Sequence, residues 1–274
     1  MTDSQTDLAN FARLIESIEP WLDQVVIIGG WAHRFYRLHP SARPVEYPPL
    51  TTLDADVALP IRLEVKEQDI GARLVANGFR EELLGDHKPP ATHYRLGDAR
   101  SGFYAEFLTP LVGSQYDRKG TAKATDRVGG VTSQKLRHLD LLLNMPWQVE
   151  LDESKGFPLA APTQVQIPNP TCFLAQKLLI HSKRSPEERA KDILYIHDTV
   201  EIFSGRIQEL NEIWRAVRLR QNARHSASIE LARKRLFGEL SDSVRESARM
   251  AVGRTLSAQA ILETCNLGLS GIFQ

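Results

Sequence analysis

The run Val25-Val26-Ile27-Ile28, cut off by Gly29-Gly30, constrains this chain more than any other stretch. Successive β-branched residues between breakers read as a strand with both faces buried. The paired glycines let the backbone turn sharply and bring amide N–H groups close to a ligand at the start of the next helix. That helix is expected over Trp31-Ala32-His33-Arg34-Phe35-Tyr36. After a proline-bearing loop comes Thr51 to Leu59, of strand composition, in which Asp54 and Asp56 stand two apart. Residues two apart on a strand share a face, so the two carboxylates project together. Glycines able to cradle phosphate, beside carboxylates able to hold a divalent cation, suggest metal-dependent chemistry on a nucleoside triphosphate.

Another acid stands in an apolar setting. In Gly102 to Pro110, Phe103, Ala105 and Phe107 alternate with Tyr104, Glu106 and Leu108, so Glu106 interrupts an otherwise apolar strand. An unpaired buried carboxylate is costly, so Glu106 needs a cation, a hydrogen-bond donor or solvent. The bland alternative is an edge-strand Glu paired with a nearby Arg.

The order Gly29-Gly30, helix, Thr52-Leu53-Asp54-Ala55-Asp56-Val57 resembles the signature of the nucleotidyltransferase superfamily, the polymerase-beta-like fold. Thr52, two positions before Asp54, is similar to the flavour found in bacterial AbiEii-type toxins. The resemblance extends to about Pro110 and implies an α+β chain: an N-terminal mixed sheet flanked by helices, then a helical domain. It further implies transfer of a nucleoside monophosphate from an NTP to an acceptor hydroxyl. Asp54, Asp56 and Glu106 would be the catalytic acids and the ligands of Mg²⁺ or Mn²⁺, with Gly29 and Gly30 on the phosphates. Lys177, followed by Lys183-Arg184 and Arg189-Ala190-Lys191-Asp192, resembles the basic region after the AbiEii-like core, which implies a triphosphate contact for Lys177. Read without the resemblance, Lys177 interrupts an apolar helix and can equally snorkel to solvent.

Two departures stand out. Trp31 occupies a position that is often Ser or Thr in the family, and an insertion runs from about Leu38 to Leu50. The rival reading is therefore an inactive binding or regulatory scaffold, with Trp31 blocking the phosphate seat. The inserted loop, rich in proline from Pro40 to Pro49, is either a substrate-contacting flap or a tolerated insertion.

The chain has 274 residues, 42% of them hydrophobic, enough for two domains. Prolines 146, 158, 162, 168 and 170 mark a boundary, giving a domain over 1–168 and a helical one over 169–274. A formal net charge of zero gives no whole-molecule attraction to nucleic acid or anionic membrane. Ser204 to Arg254 carries eleven basic against six acidic residues, a solvated face or a surface for a phosphate-rich partner. Acceptors consistent with this are tRNA, a protein or a small molecule, with the toxin resemblance favouring RNA or protein. Cys172 and Cys265 are far apart in apolar surroundings and are expected as buried free thiols. A polar Met1-Thr2-Asp3-Ser4 and the lack of a ~20-residue apolar run predict a cytoplasmic protein with no membrane span. Oligomeric state leaves no mark here.

Further helices are expected over 7–19 and Glu64 to Asn77, then from Asn169-Pro170 and from the capping box Ser185-Pro186-Glu187-Glu188. Four more follow, over Ile207–Leu219, Ser226–Phe237, Ser243–Val252 and Leu256–Leu267. His33, Arg34 and Arg37 read as solvated or as phosphate contacts. His197-Asp198 has the form of the dyad of metal phosphohydrolases, a pair common by chance. A Rossmann glycine fingerprint, P-loop and serine nucleophile elbow are absent.

Overall fold

The computed structural model describes residues 3–85, 90–97, 102–114, 116, 120, 124–219 and 223–274. Asp86 to Pro89, within the Gly- and Pro-bearing stretch from Gly85 to Pro90, fall outside the described residues. The chain forms two compact units, Met1–Ala32 with Thr51–Pro168, and His33–Leu50 with Asn169–Gln274.

The first unit opens with α1 (Asp3–Ile18), whose Phe11, Leu14, Ile15 and Ile18 are buried, the apolar stripe its spacing predicts. Then come β1 (Val26–Ile28), the start of α2 (Gly29–Phe35) and β2 (Asp54–Ala58). α3 (Ile70–Ala76), β3 (Arg80–Leu84), β4 (Ala91–Arg95) and β5 (Tyr104–Pro110) follow. β6 (Thr125–Val128), β7 (Val131–Leu136), α4 (Leu139–Leu142), β8 (Trp147–Leu151) and β9 (Thr163–Ile167) complete it.

The main sheet runs β1-β2-β5-β4-β3, with β7 added beside β5 and β6 beside β7. β2 and β5 are parallel, with Asp54 opposite Tyr104 and Asp56 opposite Glu106. β4 lies antiparallel along the first half of β5, and β7 parallel along its last residues. β5 is thus interior to the sheet, which removes the edge-strand reading of Glu106. β8 and β9 form a separate antiparallel pair. One side of the sheet packs Val26, Ile28, Ala58 and Leu108 against Leu139 and Leu142.

The helix expected over Glu64 to Asn77 is shorter than its pattern. Glu64 accepts from the Trp21 indole through its carbonyl at 2.9 Å, and its N–H donates to the Gln24 side chain at 2.9 Å. These bonds hold Glu64 outside the helix, and Asp69 then caps Ala72 N–H at 2.7 Å, starting the helix at Ile70.

The second unit is helical. α5 (Pro170–Ile180) starts at Asn169, whose side chain accepts from Cys172 N–H. α6 (Pro186–Ile202) starts at the Ser185/Glu188 capping box with both reciprocal bonds formed. α7 (Ile207–Arg218), α8 (Ala223–Phe237), α9 (Asp242–Met250) and α10 (Ala258–Ile272) follow, α10 running past the end expected at Leu267. Cys172 and Cys265 are buried free thiols.

A boundary at 168/169 leaves residues 33–50 with the N-terminal part, yet they pack within the second unit. Arg43 N–H donates to Ile202 O at 2.9 Å, and the Arg43 guanidinium and Tyr47 hydroxyl reach Glu201 at 2.9 and 2.8 Å. Arg37 donates to Tyr47 O at 2.5 Å, and Arg254 lies 3.6 Å from the Tyr47 ring centroid. A sequence boundary drawn at one point cannot express an insertion that leaves one unit and returns.

Candidate active site

In an extended strand pair, residues in direct register face the same way. Asp54, Asp56, Tyr104 and Glu106 therefore share one face of β2 and β5, while Ala55, Ala105 and Phe107 fill the core behind them. Thr52, just before β2, donates its hydroxyl to Asp54 Oδ1. From β4, His93 Nε2 lies 3.5 Å from Glu106 Oε1, and its ring stacks on Tyr104 at 4.8 Å and 11°. Arg95, on the same strand face, is held by Glu82 at 2.9 Å and stands 5.3 Å from the Tyr104 centroid. Burial first, then the charges of Asp54, Glu106 and Asp56, push the Tyr104 phenol up to about 12. The face is thus a place of concentrated negative potential. The oxygens of the three acids nonetheless spread wider than the 4.8 Å that would mark a preassembled cage.

The diglycine bend lies against these acids. Gly29 adopts φ +64°, and any Cβ there would collide with Asp56 Oδ2. A Cβ at Gly30 would stand 2.6 Å from Thr52 Cγ2 and 2.8 Å from its Oγ1. Both glycines are needed so that β2 and the bend can approach. Trp31 is fully buried, stacked on Phe11 at 4.1 Å and edge-on to Phe103. Its indole is a core side chain, so it does not block a seat at the bend.

His33 and Lys177 depart from their solvated readings. His33 is fully buried against Phe173 and Tyr195, both ring nitrogens without hydrogen-bond partners among the described residues. Burial, partly offset by Asp198, lowers its pKa to about 3, so the imidazole is neutral near pH 7. Lys177 is 5% exposed, and its Nζ meets Asp192 Oδ1 at 2.6 Å beneath the Tyr195 ring at 4.9 Å. The ammonium does not snorkel. Arg184 Nε adds a second contact to Asp192 at 3.2 Å.

Among the described residues, one group offers three ligand atoms within 4.8 Å, namely His197, Asp198 and Glu201 on α6. Chain cations already neutralise it. Arg254 lies 2.6 Å from Asp198 Oδ1, and Arg43 2.9 Å from Glu201 Oε1. Burial works against ionisation of Asp198, yet His197 and Arg254 hold its carboxyl below the usual range. His197-Asp198 is accordingly part of a guanidinium-centred ion network.

The sequence reading passed over His93, Tyr104 and Arg95. Their only mark is polar residues at 93 and 95 between strand-like 92, 94 and 96, which any half-exposed strand shows. The long-range register that sets β4 beside β5 decides that they meet the acids.

A family model described as nucleotidyltransferase matches residues 6–218, which takes in the sheet, the diglycine bend, the inserted loop and α5 to α7. No curated protein matches the sequence. No helix among the described residues is long and apolar enough to cross a membrane. With a match over most of its length, the chain belongs to the nucleotidyltransferase family.

Proposed function

We propose that the β2–β5 face is the catalytic centre of a metal-dependent nucleotidyl transfer, and that Asp54, Asp56 and Glu106 hold Mg²⁺ or Mn²⁺. The observation that carries this reading is the register of Asp56 with Glu106 on adjacent parallel strands, with Asp54 on the same face. The donor set fits the ion, since hard carboxylate oxygens suit Mg²⁺ and Mn²⁺. Among the described residues neither Asp54 nor Glu106 forms an ion pair with Lys or Arg, so their charge is not spent within the chain. Mg²⁺ keeps several of its waters, so oxygens spread wider than a closed cage are compatible with it. When bound, the metal supplies neutralisation of the phosphates and a lowered pKa for the attacking hydroxyl.

The chain's own residues do the rest. The bend at Gly29-Gly30 lies against Asp56 and Thr52, and its backbone amides would hold phosphate oxygens. Thr52 fixes the Asp54 carboxylate, and His93 and Tyr104 limit the freedom of Glu106. Glu106 or Asp56 would accept the proton of the acceptor hydroxyl as its oxygen attacks the α-phosphorus and pyrophosphate leaves. Lys177 is held by Asp192 at 2.6 Å within the helical unit, and its part in phosphate binding rests on the resemblance alone. The Thr52-x-Asp54 spacing and the Lys177 to Asp192 region support an AbiEii-like, toxin-type enzyme acting on RNA or protein. The buried Trp31 takes away the argument for an inactive scaffold with a plugged seat.

The test is incubation with each labelled NTP, Mg²⁺ or Mn²⁺, and bulk tRNA or cell lysate. Label transfer that vanishes in Asp54→Ala is expected. NTP binding without transfer, unchanged in that variant, would leave a binding protein in place of an enzyme.

A further inference from the structure

The strand order of the main sheet puts different chemistry on the two sides of the β2–β5 acids. β1 and the diglycine bend that follows it lie beyond β2, whereas β4 and then β3 lie beyond β5. Two rows of residues cross β2, β5, β4 and β3 in register. One runs Asp54, Tyr104, Arg95, Arg80, and the other Asp56, Glu106, His93, Glu82. Residues in register share a face, and the side chains agree. Arg95 flanks the Tyr104 ring at 5.3 Å, His93 stacks on that ring, and Glu82 reaches Arg95 at 2.9 Å. With strands ~4.8 Å apart, Arg95 is rooted about 10 Å from Asp54, and Arg80 about 14 Å. The first row thus passes from an acid, through an aromatic ring, to two guanidiniums.

That far end is short of negative charge. Arg80 stands directly opposite Arg95, and like charges in register repel. Glu82 answers one of them, accepting from Arg95 Nε and Nη2 on a single oxygen, while Arg80 has no side-chain partner among the described residues. The Arg95–Glu82 pair is partly exposed, and pairs of that kind are weak, so it does not keep Arg95 from a stronger anion.

From this layout we infer that the β4–β3 half of the face seats the acceptor, and that the acceptor is the 3′ end of a nucleic-acid strand with its phosphates on Arg95 and Arg80. The inference rests on the transfer reading above, with the triphosphate at the diglycine bend. In-line displacement brings the attacking oxygen in opposite the leaving pyrophosphate. Pyrophosphate leaving on the bend side sets the hydroxyl on the β4 side. There it meets guanidiniums, whose planar fork matches phosphate in parallel hydrogen bonds. A phosphodiester strand supplies one anion after another to neighbouring arginines and ends in a hydroxyl that can reach the acids. A serine or tyrosine of a protein acceptor carries no such series of anions beside its hydroxyl.

The test uses the full chain and a fluorescein-labelled RNA of about twelve nucleotides with a free 3′ hydroxyl, read by anisotropy over a salt series with Mg²⁺ and no NTP. Binding is expected. Arg95→Gln and Arg80→Gln should each weaken it about fivefold near 0.1 M salt and flatten the logarithmic salt slope by ~0.7, with circular dichroism reporting the fold. Arg95→Lys keeps the charge and should keep the native slope. NTP affinity by calorimetry should be unchanged in both glutamine variants. A loss of NTP affinity in Arg95→Gln with the RNA slope intact would move Arg95 to the triphosphate and overturn the acceptor seat. So would absence of RNA binding, a native slope in both variants, or equal binding of an acidic peptide of the same charge. Arginine-dependent RNA binding by a chain that transfers no label would support the seat and sink only the transfer reading. Label transfer to a protein without RNA binding would do the opposite.

Discussion

The acids on β2 and β5 and the acids on α6 are the same residue types in opposite circumstances. Glu106 has a side chain 21% exposed and meets an imidazole, and Asp54 meets a threonine hydroxyl. Asp192 and Asp198 have side chains 2% and 1% exposed, and each ends on a chain cation, Lys177 and Arg184 for one and Arg254 for the other. Depth decides the difference. A carboxylate taken fully out of water must be neutralised by the protein itself, whereas one on a half-open sheet face keeps water and donors around it. The α6 acids are accordingly tied into the helical unit by its own cations, whereas among the described residues Asp54 and Glu106 meet no lysine or arginine.

The contrast makes Asp56→Asn the harshest test. The carboxylate lies over Gly29 on the half-open face, so removing its charge is expected to reduce NMP transfer by about 10³-fold, roughly 4 kcal/mol in the barrier, with little change in Tm. Transfer at the native rate would end the claim that the sheet acids are functional.

Asp192→Asn should do the reverse. Losing one partner of a buried pair costs about 3–5 kcal/mol, read as a fall in the urea midpoint. Replacing both partners, as Lys177→Met with Asp192→Leu, should restore most of that stability. A cost below about 1 kcal/mol for the single change would mean that the pair is structurally idle.

His33 sharpens the comparison through pH. Its folded pKa, about 3, lies below the ordinary 6.5, so below pH 6.5 the unfolded chain takes up a proton that the folded one refuses. Its contribution is present at pH 7 and is lost as pH falls from 6.5 toward 3, about 2–3 kcal/mol by pH 4.5. His197 and Arg254 hold the Asp198 carboxyl under the usual carboxylate range against its burial. His33→Phe should flatten the stability profile between pH 7 and 4.5 by that amount; an unchanged slope would refute a buried neutral imidazole.

The smallest effect belongs to Thr52→Val. It removes the hydroxyl that orients Asp54, at about 1 kcal/mol of stability and about tenfold in transfer, seen as a kcat change with little change in KM for NTP. A transfer rate equal to the native one would show that Asp54 needs no such support.

Much of this was legible before any coordinates. β1, β2 and β5, the caps of α5 and α6 and the shared face of Asp54 and Asp56 follow from local rules, because alternation and capping act over a few residues. The late start of α3 was hidden, since it depends on Trp21 and Gln24 binding Glu64 from some forty residues away. The partners of Lys177 were hidden for the same reason. Its interruption of an apolar helix is visible in the sequence, but Asp192 reaches it only through the packing of α6 on α5.

By itself, the sequence determined the elements, their caps and the pairing of Asp54 with Asp56 on one strand face, all consequences of backbone periodicity. Tertiary structure decided which acids share a face across strands, which are neutralised by arginine and lysine, and that the inserted loop joins the helical unit. Those outcomes depend on strand register and on the cost of burying charge, and both are set by neighbours distant in the chain.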